Sequence, residues 1–221
     1  MRDRQLMVFS ATINERALQM SKDMMKEPVF IKAEEQEKLN PKVEHMYMVA
    51  EQRDKIEVLR KLIAAVNPPR AIVFINKSDE IDITTSKLQY HKLNAAGIYG
   101  AAQKEDRKKA MEDFRSGKVQ LLVASDLAAR GLDIQDVYYI FNLDLPEDPK
   151  EYLHRAGRTG RMGKEGLVIS IATEKEVAFI KKYQSTFDID IKHKTVYMGA
   201  IVEPDFKAKA QDKKPKAVKK Q

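Results

Sequence analysis

The chain has no cysteine and no tryptophan among its 221 residues. A disulfide framework, a thiolate metal site and a cysteine nucleophile are thereby excluded. It also lacks any apolar run approaching the ~18 residues of a membrane span, and any signal-peptide pattern at its N-terminus. These absences make a soluble, cytoplasmic protein with no membrane partner the expectation. Core material is not lacking: 43% of the residues are hydrophobic and 33% charged, too apolar for wholesale disorder. The length admits one large domain, or one domain with part of a neighbour.

Positive charge is scarcer than the formal net value of +7 suggests. Lys207 to Gln221 holds seven Lys and one Asp, which leaves a net charge of about +1 for everything before it. Any nucleic acid bound by the folded part must therefore be held by placed groups rather than by bulk charge. The tail is too polar to fold alone. It reads as a disordered basic arm, serving solubility or nonspecific phosphate contact.

Short apolar runs alternate with amphipathic stretches along most of the sequence. Strands are expected over 6–9, 29–32, 43–49, 71–75, 98–100, 121–125, 137–143 and 167–172. Helices are expected over 14–25, 53–66, 79–95, 104–115, 149–155 and 174–187. Apolar strands separated by helices call for a parallel sheet covered on both faces. Residues 42–196 therefore read as one α/β domain with five or six parallel strands. Residues 1–33 hold too little for a core of their own and look like the last pieces of a preceding domain. Met7, Phe9, Leu18, Met20, Met24 and Met25 would be uncovered without it. Residues 34–41, charged and ending in Asn40-Pro41, read as a linker, and 197–221 as the basic tail.

The densest chemical signal is the string His154-Arg155-Ala156-Gly157-Arg158-Thr159-Gly160-Arg161 at the end of an expected helix. Glycine lets the backbone turn sharply and approach a ligand, and guanidinium forks suit phosphate oxygens. Arg158 and Arg161, three residues apart, can project into one cleft. The bland alternative is a basic helix end facing its own dipole and neighbouring carboxylates. Asp79-Glu80-Ile81-Asp82 imitates a metal-holding D-E-x-D, but Asn76-Lys77-Ser78 separates it from the strand end where such a carboxylate belongs. Ser78 followed by two acids reads better as a helix N-cap. The sequence contains no G-x-x-x-x-G-K-[ST] phosphate loop, and no metal site of its own is expected.

This string resembles motif VI of the DEAD-box RNA helicases, and further elements follow that family's order. Ser10-Ala11-Thr12 resembles motif III, and Ile72-Val73-Phe74-Ile75-Asn76 motif IV. Gln103 and Arg107, after Tyr99-Gly100, resemble motif IVa. Val123-Ala124-Ser125-Asp126-Leu127-Ala128-Ala129-Arg130-Gly131-Leu132-Asp133 resembles motif V with its extension. The resemblance implies a RecA-like fold: a parallel sheet flanked by helices on both faces, related to P-loop NTPases but without its own P-loop. It implies a second RecA-like domain preceded by the end of a first one, with ATP and RNA bound across the cleft between them.

Under that resemblance, Arg158 and Arg161 are arginine fingers for the γ-phosphate, and His154 organises interdomain hydrogen bonds. Ser10 and Thr12 couple the first domain to motif VI. Asp133, after Gly131, contacts the ATP ribose. Gly100, Gln103, Arg107, Ser125 and Arg130 contact RNA through phosphate and ribose; many family members have Thr where Ser125 stands. Mg²⁺ would be held mainly by the first domain, so this chain alone is expected not to hydrolyse ATP. The competing readings are a non-catalytic RNA-binding module, a motor translocating on DNA, and a protein-docking domain.

Overall fold

The computed structural model describes residues 6–9, 15–31, 39–98, 104–129 and 137–205. They divide into two compact units, residues 1–36 and 37–221. The first contains one helix, α1 (Glu15–Met24), which buries none of its residues. Met7, Phe9, Met20 and Met24 are exposed, whereas Leu18 and Met25 are half-buried. The strands expected over 6–9 and 29–32 do not form at 6–9 or 29–31. A strand needs a partner for its backbone N–H and C=O groups, and apolar composition alone does not supply one. Lys32 lies outside the described residues.

In the second unit the elements run β1 (Val43–Val49), α2 (Lys55–Val66), β2 (Ala71–Phe74), α3 (Ile81–Tyr90), β3 (Ala95–Ile98) and α4 (Lys104–Arg115). They continue with β4 (Leu121–Ala124), α5 (Asp126–Ala129), β5 (Tyr139–Asn142), α6 (Pro149–Ala156), β6 (Gly166–Ala172), α7 (Val177–Phe187) and β7 (Ile191–His193). A hairpin, β8 (Thr195–Tyr197) with β9 (Ala200–Val202), follows. Seven strands form one sheet in the order β3-β4-β2-β5-β6-β1-β7, every described pairing in it parallel.

The period-2 alternation of strand side chains divides the core between the two faces. Ile72, Phe74, Leu122, Ala124, Ile140 and Val168 pack with Met111 and Phe114 of α4, Tyr152 of α6 and Ile180 of α7. Ala71, Val73, Leu121, Val123, Phe141 and Ile169 face the other way, onto Leu59 and Leu62 of α2 and Ile81 and Leu88 of α3. Full burial of such aliphatic side chains stabilises the fold by about 1.5–3 kcal/mol each, an upper estimate. Both faces covered by helices is the α/β architecture expected.

Some expectations are corrected. The helix expected over 79–95 ends at Tyr90, because Lys92 takes a left-handed φ of 61° and Ala95 opens β3 against β4. Of the strand expected over 98–100 only Ile98 falls in β3; 99 and 100 lie outside the described residues. The sheet gains β7, whose polar sequence hides its pairing with β1. Regular structure also continues past 196 into the hairpin, where Val196 and Ile201 pack on the core beside α2. Residues 206–221, most of the expected tail, lie outside the described residues.

Candidate functional site

β2 and β5 are neighbours in the sheet, yet the chain leaves their carboxyl ends toward opposite faces, to α3 and to α6. Such a point opens a crevice, the usual ligand position in open α/β sheets. Here the crevice is filled from within. α6 begins with Asp148, whose carboxylate accepts from Lys150 N at 2.9 Å, and with Pro149 at its first position, both favourable at a helix start. One face of α6 is apolar, and from it Arg155, 1% exposed, enters the crevice.

Arg155 uses its donors almost completely. Nε and Nη2 form a fork on the Asp126 carboxylate at 2.8 and 2.5 Å. Nη2 also donates to Asn76 Oδ1 at 2.8 Å, and Nη1 to Asp144 O at 2.6 Å and Asn142 Oδ1 at 3.5 Å. The guanidinium carbon lies 5.1 Å from the Phe74 ring centroid, within cation–π range. One side chain thus ties the ends of β2, β4 and β5 to α6. Asn142 extends the cluster to Ser170 on β6 at 3.0 Å.

A second buried cation braces the same ends. Lys55, 2% exposed, pairs with Glu176 at 2.8 Å and lies 3.8 Å from Asp144. Burial pushes the Glu176 carboxyl up, but hydrogen bonds from Lys55 and Thr173 outweigh it and hold the group below the ordinary glutamate value. On the other side of α6, Tyr152 Oη lies 2.7 Å from His45 Nδ1 and its ring stacks on Tyr183 at 4.3 Å. Burial lowers His45 to a pKa of about 4.

One turn beyond Arg155 the character of the surface changes. Arg158 and Arg161 are half-buried and both line an open groove of ≈ 650 Å³ with Tyr138, Met162 and Lys164. Burial and the Arg161 charge lower the Arg158 pKa, while Asp126 opposes them. The two guanidinium groups therefore stand close enough for the Arg161 charge to be felt at Arg158. Arg161 Nε donates to Gly157 O at 3.3 Å. The backbone here needs glycine: Gly160 has φ 67°, and a Cβ would stand 2.4 Å from Val43 Cγ2.

The remaining expected site residues fare differently. His154 is exposed on α6 and lines a small hollow with Asp126, Glu151 and Arg158. Arg107, on α4, donates to Ala128 O at the end of α5 at 2.9 Å. Ser125 is 2% exposed, its Oγ lies 2.9 Å from Ser78 Oγ, and it accepts from Ala128 N at 3.4 Å. Its hydroxyl is thus bonded within the fold. Ser78 likewise caps no helix; Lys77 precedes a 3₁₀ turn that has no side-chain cap. Ser10, Thr12, Gly100, Gln103, Arg130, Gly131 and Asp133 lie outside the described residues.

Sequence reasoning missed Arg155 as the organiser, together with Asn76, Asp126, Asn142 and Asp144 as its partners. The available signal was polar residues placed at the ends of otherwise apolar strands. It also missed Asn40, whose amide donates to Gly160 O at 2.6 Å and Lys164 O at 2.9 Å. The last residues of the expected linker therefore belong to the site's scaffold.

Comparison with known proteins adds the following. Residues 54–163 match the family model "Helicase conserved C-terminal domain". The chain is 37% identical over 215 residues to the DEAD-box ATP-dependent RNA helicase CshC of Bacillus cereus, covering 97% of this chain and 54% of that protein. It thus spans about half the length of the curated relatives it matches. Among solved structures, the E. coli DEAD-box protein SrmB bound to regulator of ribonuclease activity A matches with TM-score 0.65 and 31% identity, over 69% of this chain and 91% of that one. S. cerevisiae Dbp5 bound to RNA and ADP BeF3 matches with TM-score 0.72 and 25% identity, over 92% of this chain and 53% of that one. With the seven-stranded sheet, the arginine-bearing turn of α6 and these likenesses in place, the chain belongs to the DEAD-box helicase family and carries its C-terminal RecA-like domain.

Proposed function

We propose that this chain is the C-terminal half of an ATP-dependent RNA helicase, coupling ATP binding and hydrolysis to local unwinding of RNA duplexes when joined to a first RecA-like domain. The observation that carries the reading is the Arg158–Arg161 pair, two guanidinium groups brought to one open groove by a turn anchored in the fold. A phosphate chain fits this donor set. Arg158 and Arg161 would hold the γ-phosphate as the cleft closes, stabilising charge that develops in transfer. Asp133, after Gly131, would take the ribose, and exposed His154 would hydrogen-bond across the cleft.

Residues 1–33 are read as the end of the first RecA-like domain, with Ser10 and Thr12 coupling its state to motif VI, and 34–41 as the linker. Arg107, Gly100, Gln103 and Arg130 would contact phosphate and ribose, and Ser125 would contribute its backbone. Such contacts favour RNA through its 2′-hydroxyls while reading little sequence. Mg²⁺ would be held mainly by the first domain, as the resemblance to the family implies. A cytoplasmic location goes with this reading; no helix among the described residues is long and apolar enough to cross a membrane.

The chain alone should not turn over ATP. The test is turnover by this chain with and without a separately folded first domain of a DEAD-box relative, using RNA or DNA as stimulant. Activity that needs both halves, RNA, and Arg158 with Arg161 supports the reading. Turnover by the chain alone that survives Arg158→Ala/Arg161→Ala, or none from two folded halves, overturns it.

A further inference from the structure

The turn that carries Arg161 has an unusual backbone, unfavourable at Met162. Gly160, Met162 and Gly163 have φ of 67°, 54° and 71°, so three of four consecutive residues lie in the left-handed region. Met162 is not a glycine and is 88% exposed, so no packing of its own compensates. Within the turn Lys164 N donates to Arg161 O at 3.2 Å, and a restraint from outside adds to that single bond.

Asn40 supplies that restraint from 120 residues away in sequence. Its two amide hydrogens go to the carbonyls at the two ends of the turn, Gly160 O at 2.6 Å and Lys164 O at 2.9 Å. Its Oδ1 accepts from Lys42 N at 3.0 Å, and its backbone O from Val43 N at 2.9 Å. Both sides of the amide are thereby specified: oxygen to the Lys42 amide just before β1, nitrogen to the turn. A Cβ on Gly160 would stand 3.0 Å from Asn40 Nδ2, so glycine is also what lets the amide approach. Asn40 sits close to residue 37, where the second compact unit begins, and leads directly into β1. A single side chain thus fastens the start of the domain to the turn bearing one of the two groove arginines.

We infer that Asn40 is a positioning residue for Arg161: it fixes the arginine turn and links it to the chain entering the domain. This deepens the ATPase reading and rests on it. Asparagine is specific to the task. Aspartate would set a carboxylate against two carbonyl oxygens, and alanine would donate nothing.

The test has two readouts. In this chain alone, hydrogen exchange of the 160–164 amides should accelerate tenfold or more in Asn40→Ala and Asn40→Asp, by about the free energy of one to two net hydrogen bonds, while the β2 and β4 amides stay protected. In the two-domain ATPase mixture, both variants should lower kcat about tenfold with the KM for ATP and for RNA nearly unchanged, because a finger acts in the transition state. Arg161→Ala is the control. If it lowers kcat while the Asn40 variants leave kcat and the 160–164 exchange at the parent values, the inference fails and the ATPase reading stands. If Arg161→Ala also has no effect, the ATPase reading fails with it. A uniform rise in exchange across the sheet would assign Asn40 to general stability and likewise overturn the inference.

Discussion

Arg155 and Arg158 stand one helical turn apart in the same short string, yet their surroundings are opposite. Arg155 is enclosed by a carboxylate, two side-chain amides, a carbonyl and an aromatic face. Arg158 is half-buried beside a second guanidinium, on an open groove. The first arginine is enclosed within the fold; the second stands with another guanidinium at the wall of an open groove. Identical residue types therefore divide into scaffold and function by what the fold brings to them.

The contrast can be broken first at the groove. Arg158→Ala and Arg161→Ala should cut ATP turnover in the two-domain mixture by roughly 10³-fold or more. The same variants should change the unfolding free energy by less than about 1 kcal/mol, since neither fills the core. An equal loss of stability measured in urea would place them with Arg155.

The converse holds for the buried arginine. Arg155→Ala strands the Asp126 carboxylate and two amides in a buried crevice, and should cost about 3–5 kcal/mol. Denaturant unfolding of this chain measures it directly, and a change under 1 kcal/mol would mean that water replaces the guanidinium without penalty.

α6 is also held from its far side, and there the restraint depends on pH. His45 is 5% exposed, and burial lowers its pKa to about 4 from the ordinary histidine value of 6.5. The unfolded chain therefore binds more protons than the native state between those values, so stability falls as pH drops. Its contribution is complete above about pH 6.5 and is lost progressively toward pH 4, by about 3 kcal/mol in total. Urea titrations at pH 7, 5.5 and 4 should follow this slope, and His45→Phe should flatten it.

The smallest effect belongs to Ser125. Ser125→Ala removes the bond to Ser78 and the contact with Ala128 N, costing about 1 kcal/mol of stability. RNA affinity measured by anisotropy should stay within about twofold, because the hydroxyl faces the interior. A large loss of affinity would restore the hydroxyl as a phosphate donor.

Much of the fold is legible in the sequence because its central strands are buried on both faces. Runs such as Ala71–Phe74 and Leu121–Ala124 leave no other reading, and the helix over 104–115 falls where its periodicity puts it. Edges are harder to read. β7 is short and two of its three residues are exposed, so nothing in its composition announces a strand. The apolar stretches at 6–9 and 29–31 fail for the opposite reason, having composition without a pairing partner. Within the site, the arginine string was visible, but the division of labour inside it was not. Asn40 carried no signal at all, since its partners stand far along the chain.

By itself the sequence determined the class of fold and the chemistry on offer, because burial periodicity and guanidinium-rich glycine turns are local properties. Only the tertiary structure decided which arginine is spent on the scaffold, which hydroxyl turns inward and which distant amide secures the strained turn. Those outcomes depend on long-range contacts, where a group's cost or use is set by neighbours brought together from other strands and helices.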